Sequence, residues 1–484
     1  MAEFTAEIGD EIITEEISPK SGEQGGQGEN GNIITEGNLI KALLIVALPI
    51  ILSNALQSVL EIVDMYFIGQ LGNTSIAGGS VSMSVIMVLM TVFIGLMTAT
   101  AAFISRAYGS SNHDRIPVIL AHSLIMAAIV SVIIALIGIF WSEDILLILS
   151  QDAEVAAEGA RFLAPLLTGI FTIVVLMIIV TAFQASGDSK TPMYVMIAIN
   201  IVNIILNPTL INGLFGLPAF GITGSAYATI LSRAFGIFVF AGIIYLLPAY
   251  RSRPVRLPVH FKLEPKLLID VIFVAVPSAV QMGVRSVSFM LMMWIIAFYG
   301  EATIAAYGIC IRFDMLGLII VMGFGTAIAI MVGQNLGANR PDRAKQAVKY
   351  AVALSVGFIC IVTAIYSIYA SDLLYIFGLE DEALDVGISF MHVIPLSYCL
   401  IATAMTLGFA MNGAGATRPG MYSAIIGMLI VQCSASYYLM ISGYPIDCIW
   451  YAVVLGVICM CATNYLFFRH GGWLKKKLDL GGES

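Results

Sequence analysis

Twelve apolar runs, each long enough to cross a lipid bilayer as a helix, dominate this 484-residue chain. They lie at about 39–69, 76–104, 117–140, 160–184, 192–211, 222–248, 267–298, 304–332, 347–370, 387–410, 420–441 and 448–468. A hydrocarbon core of about 30 Å needs roughly 20 consecutive apolar residues in helical form. Backbone polar groups in lipid must be satisfied internally, so a spanning chain is either a helix bundle or a closed barrel. The period-two alternation of barrel strands is absent from these runs. The expected fold class is therefore an all-α integral membrane protein of about twelve transmembrane helices. Composition agrees, with 59% hydrophobic and 11% charged residues, against roughly 45–50% and about 25% in soluble domains.

The net charge of -8 comes largely from residues 1–38, which carry nine acids and one Lys. That stretch is rich in Gly, Gln, Glu and Ser, the composition of a disordered tail. It lacks the basic start and small-residue cleavage site of a secretory signal peptide, so the first helix is expected to stay in the mature protein.

Lys and Arg accumulate in alternate breaks: Arg106 and Arg115; Arg251, Arg253, Arg256, Lys262 and Lys266; Arg340, Arg343, Lys345 and Lys349; and Arg469 with Lys475 to Lys477. The intervening breaks have neither residue type. The positive-inside rule then puts both termini in the cytoplasm of a multi-pass cell-membrane protein.

Sliding the chain on itself by 228 positions aligns the halves in one register. Pro49 meets Pro277, Ser58 meets Ser286, Gly72 meets Gly300, Gly95 meets Gly323, Gly109 meets Gly337 and Gly187 meets Gly415. Six helices per copy is an even number, so both copies enter the membrane in the same direction. The expected organisation is a tail at 1–38, a lobe at 39–248, a basic linker at 249–266, a second lobe at 267–468 and a basic tail at 469–484. Parallel repeats of this kind place a cavity between two lobes, opened to either side by rocking.

Several segments carry a family likeness. Leu48-Pro49, Gln57-Ser58 and Val63-Asp64, ending in Gly69-Gln70-Leu71-Gly72, resemble the first helix of the multidrug and toxic compound extrusion (MATE) transporters. The segments Ala185-Ser186-Gly187-Asp188-Ser189-Lys190-Thr191-Pro192 and Asn412-Gly413-Ala414-Gly415-Ala416-Thr417-Arg418-Pro419 resemble that family's Gly-rich loops after helices 4 and 10. The resemblance implies export of organic, often cationic, compounds against an inward flow of protons or sodium ions. It is nearest the prokaryotic branch whose coupling Asp sits on helix 1, facing polar residues on helix 5. Those positions are Asp64, Asn203 and Asn207, and the family's bending proline on helix 1 matches Pro49. The family usually has Asp where Asn207 stands, and commonly Asn where Glu61 stands. The coupling acid that other branches place on helix 7 has no counterpart here, since Asp270 lies at the cytoplasmic end of that helix.

The residues support a site independently of the likeness. A carboxylate inside a span costs roughly 2.5–3.5 kcal/mol on insertion scales, so Asp64 is a functional candidate by default. Asn203 and Asn207 are one turn apart and share a helix face. Pro208 frees a backbone carbonyl in the preceding turn. Glu61 shares a face with Asp64 at i,i+3, either as a replacement for the absent helix 5 acid or as a vestibule residue. In the second half, Arg285 and Asp314 lie at similar depths, where they are expected either to pair or, with Gln57, to serve substrate binding or gating. Met290, Met292, Met293 and Trp294 are either cavity lining or packing.

No GxxxxGK[ST] loop appears, which points to secondary rather than ATP-driven transport. The five His are scattered and the seven Cys form no CxxC pair, so neither an enzyme nor a metal cofactor is expected. The expected ligands are a small organic compound and a coupling proton or sodium ion, handled by a monomer in the bilayer without nucleic acid. The nearest alternative is a flippase for lipid-linked sugars.

Overall fold

The computed structural model describes residues 33–250, 253–258 and 262–481. The first repeat builds α1 Leu39–Gly69, α2 Asn73–Gly109, α3 Arg115–Ser150, the two arms of α4 at Ala153–Thr168 and Ile170–Ala185, α5 Lys190–Asn212 and α6 Ile222–Leu246. The second builds α7 Pro265–Ala297, α8 Glu301–Gly337, α9 Pro341–Ile368, α10 Asp381–Gly413, α11 Arg418–Ile441 and α12 Ile446–His470. Among the described residues there is no strand. Eleven helices are long and apolar enough to cross a membrane unaided, and bent α4 makes twelve.

Helix boundaries follow local chemistry. Asn38 caps α1 by accepting from the Ile40 N–H at 2.9 Å, and Asp152 caps α4 by accepting from the Glu154 N–H at 2.8 Å. Gly72 and Gly300, with φ of 116° and 102°, make the equivalent turns into α2 and α8. The fourth span, expected over 160–184, begins at Ala153 and bends by 50° at Gly169. Its first arm contains Glu154, Glu158 and Arg161, which mask its apolar face of Ala156, Phe162 and Leu163. α3 runs to Ser150 rather than 140. A short helix at Ala370–Ile376 and a 3-10 turn at Pro395–Ser397 also lie outside the expected pattern. In α11 the segment Ile425–Cys433 is π-helical.

The repeat is visible in three dimensions, because the lobes touch through pairs related by the same register. A Cβ on Gly95 of α2 would lie 2.8 Å from Ala279 of α7, and one on Gly323 of α8 would lie 2.2 Å from Ile51 of α1. Nearer the basic face, a Cβ on Gly109 would fall 2.0 Å from the Gln334 carbonyl oxygen, and one on Gly337 would fall 2.3 Å from that of Arg106. Only glycine permits this backbone contact between α2 and α8. Around it, Arg106 Nη2 donates to the Ala414 carbonyl at 3.3 Å, and Gln334 Nε2 donates to the Ala185 carbonyl at 2.8 Å. The lobes are therefore closed against each other at the basic face.

Both chain ends reinforce that face. Residues 1–32 of the expected tail lie outside the described residues. Its last part is folded: residues 33–35 are helical, Ile34 is 1% exposed, and Glu36 pairs with Arg340 at 2.9 Å. Arg343 donates to the carbonyls of Ile34 and Gly37. After α12, Trp473 stacks on Phe468 in the second lobe, and the chain then crosses to the first. There Leu478 and Leu480 pack on the hydrophobic core and Arg115 Nε donates to the Leu480 carbonyl at 2.8 Å, while Lys266 at the start of α7 pairs with Asp479 at 2.5 Å.

Arg115 also grips Glu264 with both terminal nitrogens, at 2.9 and 2.6 Å. That guanidinium holds the Glu264 carboxyl below the usual carboxylate range. A depressed folded value means the pair stabilises above the ordinary glutamate range, and the stabilisation is lost as pH falls through the folded value. Glu264→Gln is expected to melt lower than the parent at neutral pH, with the gap closing below about pH 4; equal melting at neutral pH would contradict this. Gly109→Ala is expected to part α2 from α8. Ser105→Cys, fully buried in this state, should then react several-fold faster with a membrane-permeant maleimide, whereas unchanged labelling would show that the seam tolerates the methyl.

Candidate functional site

Three helices of the first lobe converge on one carboxylate. α5 and α6 pack closely because Gly224 and Gly236 leave no side chain between them; a Cβ there would meet Leu210 at 2.6 Å and Ile199 at 2.4 Å. α1 lies against α5, and its Asp64 is 1% exposed. α1 continues helically through Pro49, whose carbonyl accepts from the Ser53 hydroxyl at 2.8 Å.

Asp64 Oδ1 accepts from Asn203 Nδ2 at 3.2 Å and from Asn207 Nδ2 at 2.8 Å. Its Oδ2 accepts from Thr229 Oγ1 at 2.8 Å. The turn spacing of Asn203 and Asn207 delivers both amides to one oxygen, and Asn207 also donates to Asn203 Oδ1 at 2.9 Å. Three donors on two oxygens suit the ionised carboxylate, each charge-assisted bond contributing about 1.5–3 kcal/mol against desolvation. Arg233, one turn beyond Thr229 on α6, is buried and within electrostatic reach of Asp64 and Glu61.

The helix that supplies the cage leaves two amide oxygens unused. Asn207 Oδ1 is buried without a hydrogen-bond partner, and so is Asn200 Oδ1 two turns earlier on α5. Amide oxygens beside a carboxylate and a hydroxyl form a hard-oxygen set of the kind that holds an alkali cation or is rearranged by a proton. No three His, Cys, Asp or Glu side chains among the described residues converge on a metal-binding geometry.

Asp64, Asn203 and Asn207 thus come together. Glu61 does not join them; it is exposed and accepts from Gln57 Nε2 at 3.3 Å. Arg285 and Asp314 do not pair. Arg285 Nη2 contacts Met405 Sδ at 3.3 Å, while Asp314 accepts from the Tyr398 hydroxyl. Both reach α10, but at positions seven residues apart, Arg285 at Met405 and Asp314 at Tyr398; two helical turns, about 10 Å along the axis, separate them, so the expected equal depth does not hold. Met292 is buried, whereas Met290 and Trp294 are exposed. Sequence reasoning passed over Thr229 and Arg233. The available signal was Arg233 itself, a charge near the middle of an apolar span.

Comparison with known proteins follows the same lines. A probable multidrug resistance protein, YoeA of Bacillus subtilis, is 28% identical over 78% of this chain and 81% of its own length. The probable multidrug resistance protein NorM of Thermotoga maritima is 24% identical over 90% and 93%. The solved structure of a MOP superfamily transporter from Pyrococcus furiosus superposes with a TM-score of 0.85 at 22% identity, covering 94% of this chain and all of the other. The MatE family pattern matches at residues 49–209 and again at 277–438, once in each repeat. The chain therefore belongs to the MatE family and is a multi-pass membrane transporter rather than an enzyme.

Proposed function

We propose that this protein is an antiporter that exports organic, often cationic, compounds in exchange for protons or sodium ions, with Asp64 as the coupling carboxylate. The supporting observation is the buried cage of Asn203, Asn207 and Thr229 around Asp64. A carboxylate is placed at such cost in a membrane interior where it binds and releases something. The basic face is assigned to the cytoplasm by its Lys and Arg content. Closure of the lobes there shuts the cytoplasmic side in this arrangement.

Arg233 supports a counter-ion exchange. With no ion in the cage, its guanidinium balances Asp64 electrostatically from α6; an arriving cation or proton takes over that role. The number of ions exchanged decides the driving force. One proton against one monovalent cation draws only on the pH gradient, at about 1.36 kcal/mol per unit. A second proton would add roughly 2.3 kcal/mol per 100 mV of membrane potential.

In proteoliposomes, an imposed pH or sodium gradient is expected to drive efflux of a fluorescent organic cation, and Asp64→Asn is expected to abolish the gradient-driven component. No movement under either gradient would defeat drug antiport and favour a lipid-linked sugar flippase. Thr229→Val removes one donor from the cage while preserving its shape. It should shift the ion concentration for half-maximal transport by roughly tenfold, the equivalent of about 1.4 kcal/mol. An unshifted titration would take Thr229 out of the coupling site.

A further inference from the structure

The second lobe contains a charge that the antiport reading does not use. Arg285 on α7 is half-buried and lines a cavity of about 30 Å³ between α7, α10, α11 and α12. A guanidinium carries five N–H donors and no acceptor. Its one side-chain contact is the Met405 thioether at 3.3 Å, a weak acceptor. Among the described residues, no Asp or Glu forms an ion pair with it.

The remaining walls are polar but also incompletely matched. Asn412 and Asn464 are 4% and 3% exposed, and the Oδ1 atom of each is buried without a partner. Asn412 Nδ2 reaches Gln281 Oε1 at 3.5 Å, and Asn464 Nδ2 donates to the Ala404 carbonyl at 3.0 Å. Met428, another lining residue, belongs to the π-helical segment Ile425–Cys433. The corresponding stretch of α5 in the first lobe is ordinary α-helix. π-Segments recur at functional sites because the extra residue per turn redirects side chains.

We propose that this cavity is an anion site, with Arg285 as its charge partner, for a small singly charged anion. Two amide acceptors left over by the protein suit water or a hydroxyl carried in with that anion. Its size is decisive: about 30 Å³ holds a couple of waters, a halide or a carboxylate group, whereas drug-sized ligands need roughly 300–1,000 Å³. The site lies among α7, α11 and α12, the register counterparts of the α1, α5 and α6 that cage Asp64. The first-lobe cleft sets Asp64 against Arg233, whereas the second-lobe cleft holds Arg285 with no carboxylate paired to it among the described residues. The anion has two sources, a halide from the medium or the carboxylate of an organic solute.

The test uses the purified full chain in detergent with gluconate as the background anion. Melting temperature is followed against chloride and, separately, against acetate; an anion that binds only the folded state raises it saturably. Wild type is expected to respond, Arg285→Lys to respond at higher concentration, and Arg285→Gln to lose the response. Chloride alone raising the temperature identifies a halide site, and acetate doing so as well identifies a carboxylate site. Should Arg285→Gln fail to fold, bromide-soaked wild-type crystals are expected to show an anomalous peak beside Arg285. Absence of that peak together with flat titrations, or a response that Arg285→Gln retains, would overturn the proposal. Neither result bears on Asp64-driven transport, so failure here is separable from failure of the antiport reading.

Discussion

The arrangement of this protein depends on backbone meeting backbone where α2 crosses α8. Gly109 lies against the carbonyl of Gln334, and Gly337 lies against that of Arg106. Because the two contacts are register equivalents, each lobe makes with its partner the contact that its partner makes with it. Side chains extend the seam on both sides: Leu43, Val46 and Ile50 of α1 share a core with α8 and α9, and Val271 and Val274 of α7 share one with the first lobe. The glycine contact fixes how closely the two bundles approach, and the apolar packing around it holds them there. Arg106 and Gln334 add one hydrogen bond each from opposite lobes, at corresponding places.

Within the lobes, the bilayer's intolerance of bare charge sorts the polar residues. Asp64 is accepted because three donors from two other helices meet it. Asp314 is accepted with the Tyr398 hydroxyl. The two carboxylates therefore stand in different settings, one surrounded by amides and a hydroxyl near Arg233, the other in an aromatic cluster with Tyr366 and Phe313. Duplication supplied the scaffold twice, but the charged groups were placed independently in each copy: position 292, the register equivalent of Asp64, is a buried Met.

Much of this was legible in the sequence, for physical reasons that also explain the rest. Apolar length gave the helices, and one-register glycines gave the pseudo-symmetric seam. A turn spacing put Asn203 and Asn207 on one face, and membrane cost singled out Asp64. The bend at Gly169 was hidden because the first arm of α4 is amphipathic and dilutes its own hydropathy. Thr229 was invisible because a threonine in a span usually bonds to its own helix, as Thr181 and Thr209 do here. Counting from helix ends misjudged Arg285 and Asp314, since the two side chains meet α10 two turns apart, at Met405 and Tyr398.

The segment after α12 gives the seam a mechanical property. It is anchored at Trp473 on the second lobe and through Leu478 and Leu480 on the first, while Asp479 pairs with Lys266 at the start of α7. Any movement that separates Arg106 from Ala414 must also lengthen this span or peel its end away. Full burial of one leucine is worth roughly 1.5–3 kcal/mol, and these two are only partly buried. Residues 473–480 therefore tie the two lobes together at the basic face by contacts of modest strength. The closure of this face thus rests on the segment that follows the final membrane helix as well as on the helices themselves.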